Sequence, residues 1–305
     1  MPSYVFGPVP SRRLGRSLGV DIVPFKTCSY DCIYCQLGRT TCKTVERKEW
    51  VPLDDVVAQV REKLATAPDY ITLSGSGEPT LYSRLGELIA SIKGMTDIPV
   101  AVLTNGSLLW REDVRQDLAG ADLVVPSLDA GNDRLFQEVN RPHPSIAFER
   151  MVDGLVAFRR NFRGACWLEV FLLGDMTAAP EEVDKIAGIV ERMRPDRVQL
   201  NTVTRPPAED FALPVSRENM ERFAARLGER AEVIADFRAV HGKSEFTAKR
   251  QDVLDMLRRR PCTVDDIAEG LAMHANEAVK YVTELLERGD IVAETIGGRT
   301  YYKIP

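Results

Sequence analysis

The sequence predicts an α/β protein, a domain of parallel βα units followed by a small domain of helices and one hairpin. Three observations carry this. Six short apolar runs alternate with amphipathic stretches of helical period between residues 20 and 227 of the 305-residue chain, and strands that alternate with helices join by crossovers of one hand into a parallel sheet. The runs are apolar throughout rather than alternating, as in a sheet buried on both faces. Beyond residue 247 the alternation stops, and three helical stretches precede two strand-like runs separated by Gly297-Gly298, a hairpin signature.

Residues 8–19 carry Arg12, Arg13 and Arg16 among prolines and glycines. They read as an ordered lead-in loop whose arginines are either solvated or meet an anionic group. Val20 to Pro24, a β-branched run ended by proline, is the first predicted strand. A cysteine-rich loop follows it. Leu53 to Ala65 begins just after Pro52 and places Val56, Val57, Val60 and Leu64 on one helical face. Tyr70 to Leu73 is the second strand and Leu81 to Lys93 its helix; Pro99 to Thr104 and Trp110 to Leu118 form the third unit. Leu123 to Leu128 with Ser145 to Arg160, Trp167 to Leu173 with Glu181 to Met193, and Arg197 to Val203 with Ser216 to Leu227 complete the six. The pattern breaks at His241-Gly242-Lys243-Ser244, which divides the chain into residues 1–240, a linker 241–246 and a tail 247–305. The tail reads as helices Thr247 to Arg259, Thr263 to Gly270 and Asn276 to Arg288, then strands Ile291 to Thr295 and Thr300 to Ile304. Three helices and a terminal hairpin resemble a winged helix.

Composition bounds the function. Hydrophobic residues at 44%, charged residues at 28% and a net charge of −5 describe an ordinary soluble protein with no global attraction to nucleic acid. No signal peptide is visible at Met1 to Pro8. The longest uncharged run, thirteen residues from Ile98 to Trp110, is broken by Asn105-Gly106, and a bilayer takes about 20 apolar residues. A cytoplasmic protein without membrane contact is expected. Six cysteines, three of them clustered, fit a reducing compartment and metal-bound thiols better than a disulfide framework. Cys42, Cys166 and Cys262 are scattered and read as small buried apolar residues.

Cys28-Ser29-Tyr30-Asp31-Cys32-Ile33-Tyr34-Cys35 holds the chemistry. Three thiolates converging from one short loop favour an iron–sulfur cluster, or zinc with Cys42 as a fourth ligand. On a [4Fe–4S] cube, three cysteines leave one iron open to substrate or to a second cofactor. After the second strand, Gly75, Ser76, Gly77 and Glu78 combine glycines that permit close backbone approach with a carboxylate able to take an ammonium. Thr104 and Asn105 after the third strand, Ser127 and Asp129 after the fourth, and Asn201 and Thr202 in the sixth add polar groups; each is also an ordinary capping or turn residue.

The cysteine spacing, with Tyr34 just before the third cysteine, closely resembles the cluster motif of the radical S-adenosylmethionine (SAM) enzymes. The resemblance covers roughly residues 4–230 and implies an open (β/α)6 partial barrel of the TIM-like kind with its chemistry at the C-terminal strand ends. It implies that Cys28, Cys32 and Cys35 hold a catalytic [4Fe–4S] cluster and that the Gly75 to Glu78 loop receives the methionyl amino group of SAM. Thr104, Asn105, Ser127 and Asp129 would hold its ribose and carboxylate, with Asn201 and Thr202 near the adenine. The expected reaction is reductive cleavage of SAM to a 5′-deoxyadenosyl radical that abstracts hydrogen from a substrate: a protein, an RNA base or a small metabolite. The electron would come from an external flavodoxin or ferredoxin. The lead-in loop and the strand-end motifs look most like the group related to the wyosine-forming tRNA enzyme, although the sequence shows neither the second cysteine cluster nor the flavodoxin-like domain seen in parts of that group. The rival reading is an iron–sulfur regulator that senses redox state or iron and binds DNA through the tail. The tail argues against DNA, because its nine basic and ten acidic residues give a net charge of −1, and duplex binding runs on phosphate neutralisation.

Overall fold

A computed structural model describes residues 4–11, 13–204, 207–235, 250–254, 256–257, 261–271, 273, 275–296 and 299–305. Arg12, the linker 241–246 and the turn Gly297-Gly298 lie outside the described residues. Of the helix expected over Thr247 to Arg259, residues 250–254 and 256–257 are described, and they are helical.

The lead-in departs from expectation. Instead of a loop, Val5–Ser11 (β1) and Gly15–Val20 (β2) form an antiparallel pair, and the strand expected over Val20 to Pro24 has already ended at Val20. The position of β1 at the sheet edge explains why its prolines do not forbid a strand, since Pro8 need not donate to a second neighbour. Gly15, at φ +64°, makes the reversal.

Beyond β2 lie the short pair Thr27–Cys28 (β3) and Cys42–Lys43 (β4), then Leu53–Lys63 (α1) and Tyr70–Leu73 (β5). Next come Leu85–Lys93 (α2), Val100–Thr104 (β6), Glu112–Leu118 (α3) and Leu123–Pro126 (β7). The chain continues through Asp133–Val139 (α4), Phe148–Asn161 (α5), Ala165–Phe171 (β8) and Pro180–Met193 (α6). Arg197–Asn201 (β9), Arg217–Leu227 (α7) and Ala231–Val233 (β10) close the domain. Four of these elements were not expected: the two-residue β3 and β4, α4 and the three-residue β10.

One eight-stranded sheet runs in the order β1-β2-β5-β6-β7-β8-β9-β10, with every pair after the first parallel. The parallel strands follow chain order without reversal, so crossovers of one hand put all the helices on one face. The other face is free to curl inward, as in an open partial barrel. Period two sorts the side chains accordingly. Cys166, Leu168 and Val170 of β8 join the main core with Val152, Leu155, Val183 and Ile186 of the helices. From the opposite face, Leu123 and Val125 of β7 pack with Leu14, Ala101, Ala165 and Trp167 in a separate apolar plug.

The tail comprises Val264–Gly270 (α8), Ala275–Glu287 (α9) and the antiparallel pair Val292–Ile296 (β11) and Arg299–Lys303 (β12). It has its own core of Val253, Leu257, Cys262, Ile267, Tyr281 and Leu285. Cys166 and Cys262 are buried as expected, whereas Cys42 is exposed, because its strand pairs only with β3 and lies outside the main sheet. Among the described residues no helix is long and apolar enough to cross a membrane.

Candidate metal and cofactor site at the strand ends

The loops that follow β2, β5, β6, β7 and β9 meet at the C-terminal edge of the sheet; hydrogen bonds tie the first three in turn, and the β7 and β9 loops bond to the cysteine loop after β2. Asp21, just past β2, accepts from Ser76 N at 2.5 Å and from Ser76 Oγ at 2.9 Å. Lys26 N donates to Ser76 O at 2.7 Å, and Glu78 N to Thr27 O at 3.1 Å. The glycines serve this contact. A Cβ on Gly77 would stand 1.9 Å from the Thr27 carbonyl oxygen, and one on Gly75, at φ +129°, would stand 2.0 Å from Asp21 Oδ1. Their close approach is therefore to the cysteine loop's own backbone and carboxylate.

Glu78, 2% exposed, binds the next loop. Its Oε1 accepts from Thr80 N at 2.9 Å, Thr80 Oγ1 at 2.6 Å and Thr104 Oγ1 at 2.6 Å, and its Oε2 from Asn105 N at 2.7 Å. A carboxylate has about four lone-pair sites, so Oε2 keeps capacity for a further donor. Burial raises the Glu78 pKa against these bonds.

Each of the three thiols receives a nitrogen donor. Asn105 Nδ2 points at Cys28 Sγ at 3.5 Å, Asn140 Nδ2 at Cys32 Sγ at 3.5 Å, and Lys26 Nζ at Cys35 Sγ at 3.6 Å. Lys26 Nζ also donates to the Gly38 carbonyl. Burial pushes the Cys28 thiol up to about 12, with the nearby Glu78 adding to it. Burial likewise raises Cys32 well above its ordinary value, with Asp129 adding. Such thiols hold their protons near neutrality until a metal replaces them.

Asp129, after β7, gathers the far side. Its Oδ2 accepts from Tyr34 OH at 2.5 Å and Asn140 Nδ2 at 2.7 Å, and its Oδ1 from Phe171 N at 3.1 Å. The Tyr34 ring stacks on Phe171 with centroids 4.0 Å apart. Deeper in the lumen, Glu169 accepts from Arg13 Nη2 at 2.7 Å and Asn201 Nδ2 at 2.9 Å, and Arg13 also reaches Gln199 at 3.3 Å. One lead-in arginine thus does meet an anion, a carboxylate of the chain itself.

Cys28, Cys32, Cys35, Tyr34, Gly75, Ser76, Gly77, Glu78, Thr104, Asn105 and Asp129 thereby form one connected site, and Asn201 joins it through Glu169. Ser127 forms a bridge to Glu169 in the neighbouring strand. The buried Thr202 hydroxyl is taken up by backbone, donating to Leu172 O and accepting from Val215 N. Sequence reading missed Asp21, Lys26, Asn140 and Glu169, each a lone polar residue outside any motif.

The donor set fits an iron–sulfur cluster. Among the described residues, no three His, Cys, Asp or Glu side chains are gathered to hold a single ion. Cys42, the fourth ligand a zinc site would use, is exposed. Thiolates on separate irons of a cube stand further apart than ligands of one ion, and N–H donors aimed at the sulfurs belong to such sites.

Residues 22–188, a little over half of the 305, match the Radical SAM superfamily. The chain is 42% identical over 305 residues to a GTPase Obg of Brachyspira hyodysenteriae, covering 98% of this chain and 45% of that protein. It thus spans less than half of that relative's length. It is 34% identical over 312 residues to a UPF0026 protein of Methanocaldococcus jannaschii, covering 98% of this chain and 95% of that protein. A radical SAM methyltransferase from Sphaerobacter thermophilus superposes with a TM-score of 0.56 at 18% identity, over 73% of this chain and 67% of that one, a likeness of fold.

Proposed function

The chain belongs to the radical SAM superfamily and to the UPF0026 proteins, and from that membership we propose that residues 28–35 and the adjoining strand ends form its cluster- and SAM-binding site. It is an enzyme of the radical SAM class, whose members bind a [4Fe–4S] cluster and SAM. When bound, these supply one-electron cleavage of SAM and a 5′-deoxyadenosyl radical for hydrogen abstraction. The observation that carries the assignment is the convergence of three donor-matched thiols with Glu78 and Asp129 at the C-terminal strand ends.

On this reading Cys28, Cys32 and Cys35 ligate three irons and leave the fourth open. Glu78, through Oε2, orients an ammonium, and the Asp129–Tyr34 pair turns polar groups toward the same space. Phe171 and the plug around Trp167 exclude water below it. We further read residues 1–240 as the barrel and 247–305 as a winged helix, place the chain nearest the wyosine-related group, and assign it a flavodoxin- or ferredoxin-type electron donor in the cytoplasm. The substrate class left open is protein, RNA base or small metabolite.

Anaerobic reconstitution tests this. We expect about four irons per chain, the content of one cube, and 5′-deoxyadenosine from SAM after reduction. Replacing Cys28, Cys32 or Cys35 by Ala should abolish both, while Cys42, Cys166 and Cys262 should tolerate it. Stoichiometric zinc without iron would sink the assignment.

A further inference from the structure

The tail touches the cysteine-loop side of the barrel through a lysine that the superfamily match, ending at residue 188, does not cover. Lys280 lies on α9, outside the set of side chains that builds the tail's core, yet it is only 9% exposed. Lysine is almost never so buried without partners. Its Nζ donates to the Pro207 carbonyl at 2.8 Å. The segment beginning there lies on the cysteine loop: Glu209 N donates to Ile33 O at 2.9 Å, and Ala212 packs with Ile33 and Tyr34. Arg39 and Arg141 clamp the same segment through Glu209 Oε1, at 2.9 and 2.6 Å. Burial pushes the Lys280 ammonium down to about 8, which leaves it charged at neutral pH, and the neighbouring Cys35 and Glu284 act against that fall. Lys280 is thereby held on the segment that lies against Ile33, two residues before Cys35, while Lys26 donates to Cys35 Sγ from within the loop.

We propose that Lys280 is a positioning residue of the cluster site, through which the tail places a positive charge beside Cys35 that favours the reduced state of a cluster held there. The inference rests on the function proposed above. Reduction transfers one electron from a flavodoxin- or ferredoxin-type donor and makes the cluster one unit more negative, with no bond made or broken. A fixed cation in water-poor surroundings stabilises the more negative state more strongly than the less negative one. Cluster potentials respond to nearby charge and to donors on the sulfurs.

The test is an EPR-monitored redox titration of the reconstituted full-length chain without SAM. Lys280→Met should weaken the reduction equilibrium about tenfold, a midpoint more negative by about 59 mV for a one-electron couple. Lys280→Arg should restore it. Lys280→Gln, which can still donate to the Pro207 carbonyl but carries no charge, should behave like Met. Lys303→Met, a tail lysine paired with Glu294 on the hairpin, should leave the midpoint unchanged. A midpoint equal in the unmodified chain and Lys280→Met, or lowered by Met but not by Gln, overturns the inference alone. Absence of a cluster from the unmodified chain overturns the proposed function and the inference with it.

Discussion

Asp129 shows how one residue is set by its surroundings. Burial raises its pKa from 3.8 to about 6, against the bonds from Tyr34, Asn140 and Phe171 that lower it, and Glu169 adds to the rise. A carboxyl held at a raised pKa in the folded chain contributes stability that is fully present below the unfolded value, near pH 4. That contribution is lost as pH rises through about 6, and two pH units correspond to about 3 kcal/mol. Asparagine cannot ionise. In metal-free protein, Asp129→Asn should therefore gain on the unmodified chain by about 3 kcal/mol between pH 4 and pH 8, read from urea unfolding at each pH. The comparison cancels the titration of every other carboxyl. An identical difference at both pH values would mean that Asp129 ionises as freely as it does in water.

At the scale of elements, the glycine loop after β5 works by fitting against its neighbour. Gly77→Ala forces a methyl group to within 1.9 Å of the Thr27 backbone oxygen, an atom that cannot swing aside as a side-chain end can. Overpacking costs about 1–3 kcal/mol and sometimes more. We expect Gly77→Ala to lower thermal stability by that amount and to lower iron retention after reconstitution, because Thr27 directly precedes Cys28. A stable variant with full iron content would show that the two loops are not rigidly joined. Five of the parallel strands, β5 to β9, and their helices were legible in sequence because apolar period and turn residues are local properties. The hairpin β1–β2 was not, since prolines argue against a strand until its edge position is known, and β10 offers only Ala231, Glu232 and Val233. The cysteines were legible as a motif. Lys26, Asn140 and Glu169 were not, since each acquires its role from partners distant in sequence: Lys26 from Gly38 and Cys35, Asn140 from Cys32 and Asp129, Glu169 from Arg13.

For the whole molecule, the question is which way the tail faces. On α9, Glu277, Lys280 and Glu284 are three and four residues apart and share a side of the helix. Lys280 is spent on the Pro207 carbonyl beside the cysteine loop, and Glu284 pairs with Arg250 and Arg288. The helix that would enter a DNA groove in a winged helix thus turns part of its charged side toward the barrel, and the tail's net charge is −1. Phosphate neutralisation, the main source of non-specific affinity, has little to draw on there. Fluorescence anisotropy of the full-length chain with mixed-sequence duplex DNA and with tRNA, at about 0.15 M salt, should give dissociation constants no tighter than about 1 µM, the range of non-specific binding. Sub-micromolar binding to either would overturn this reading of the tail, and tight binding to tRNA alone would favour an RNA base as substrate. Weak binding to both is the outcome expected of a helix whose Lys280 is engaged by the Pro207 carbonyl of the barrel.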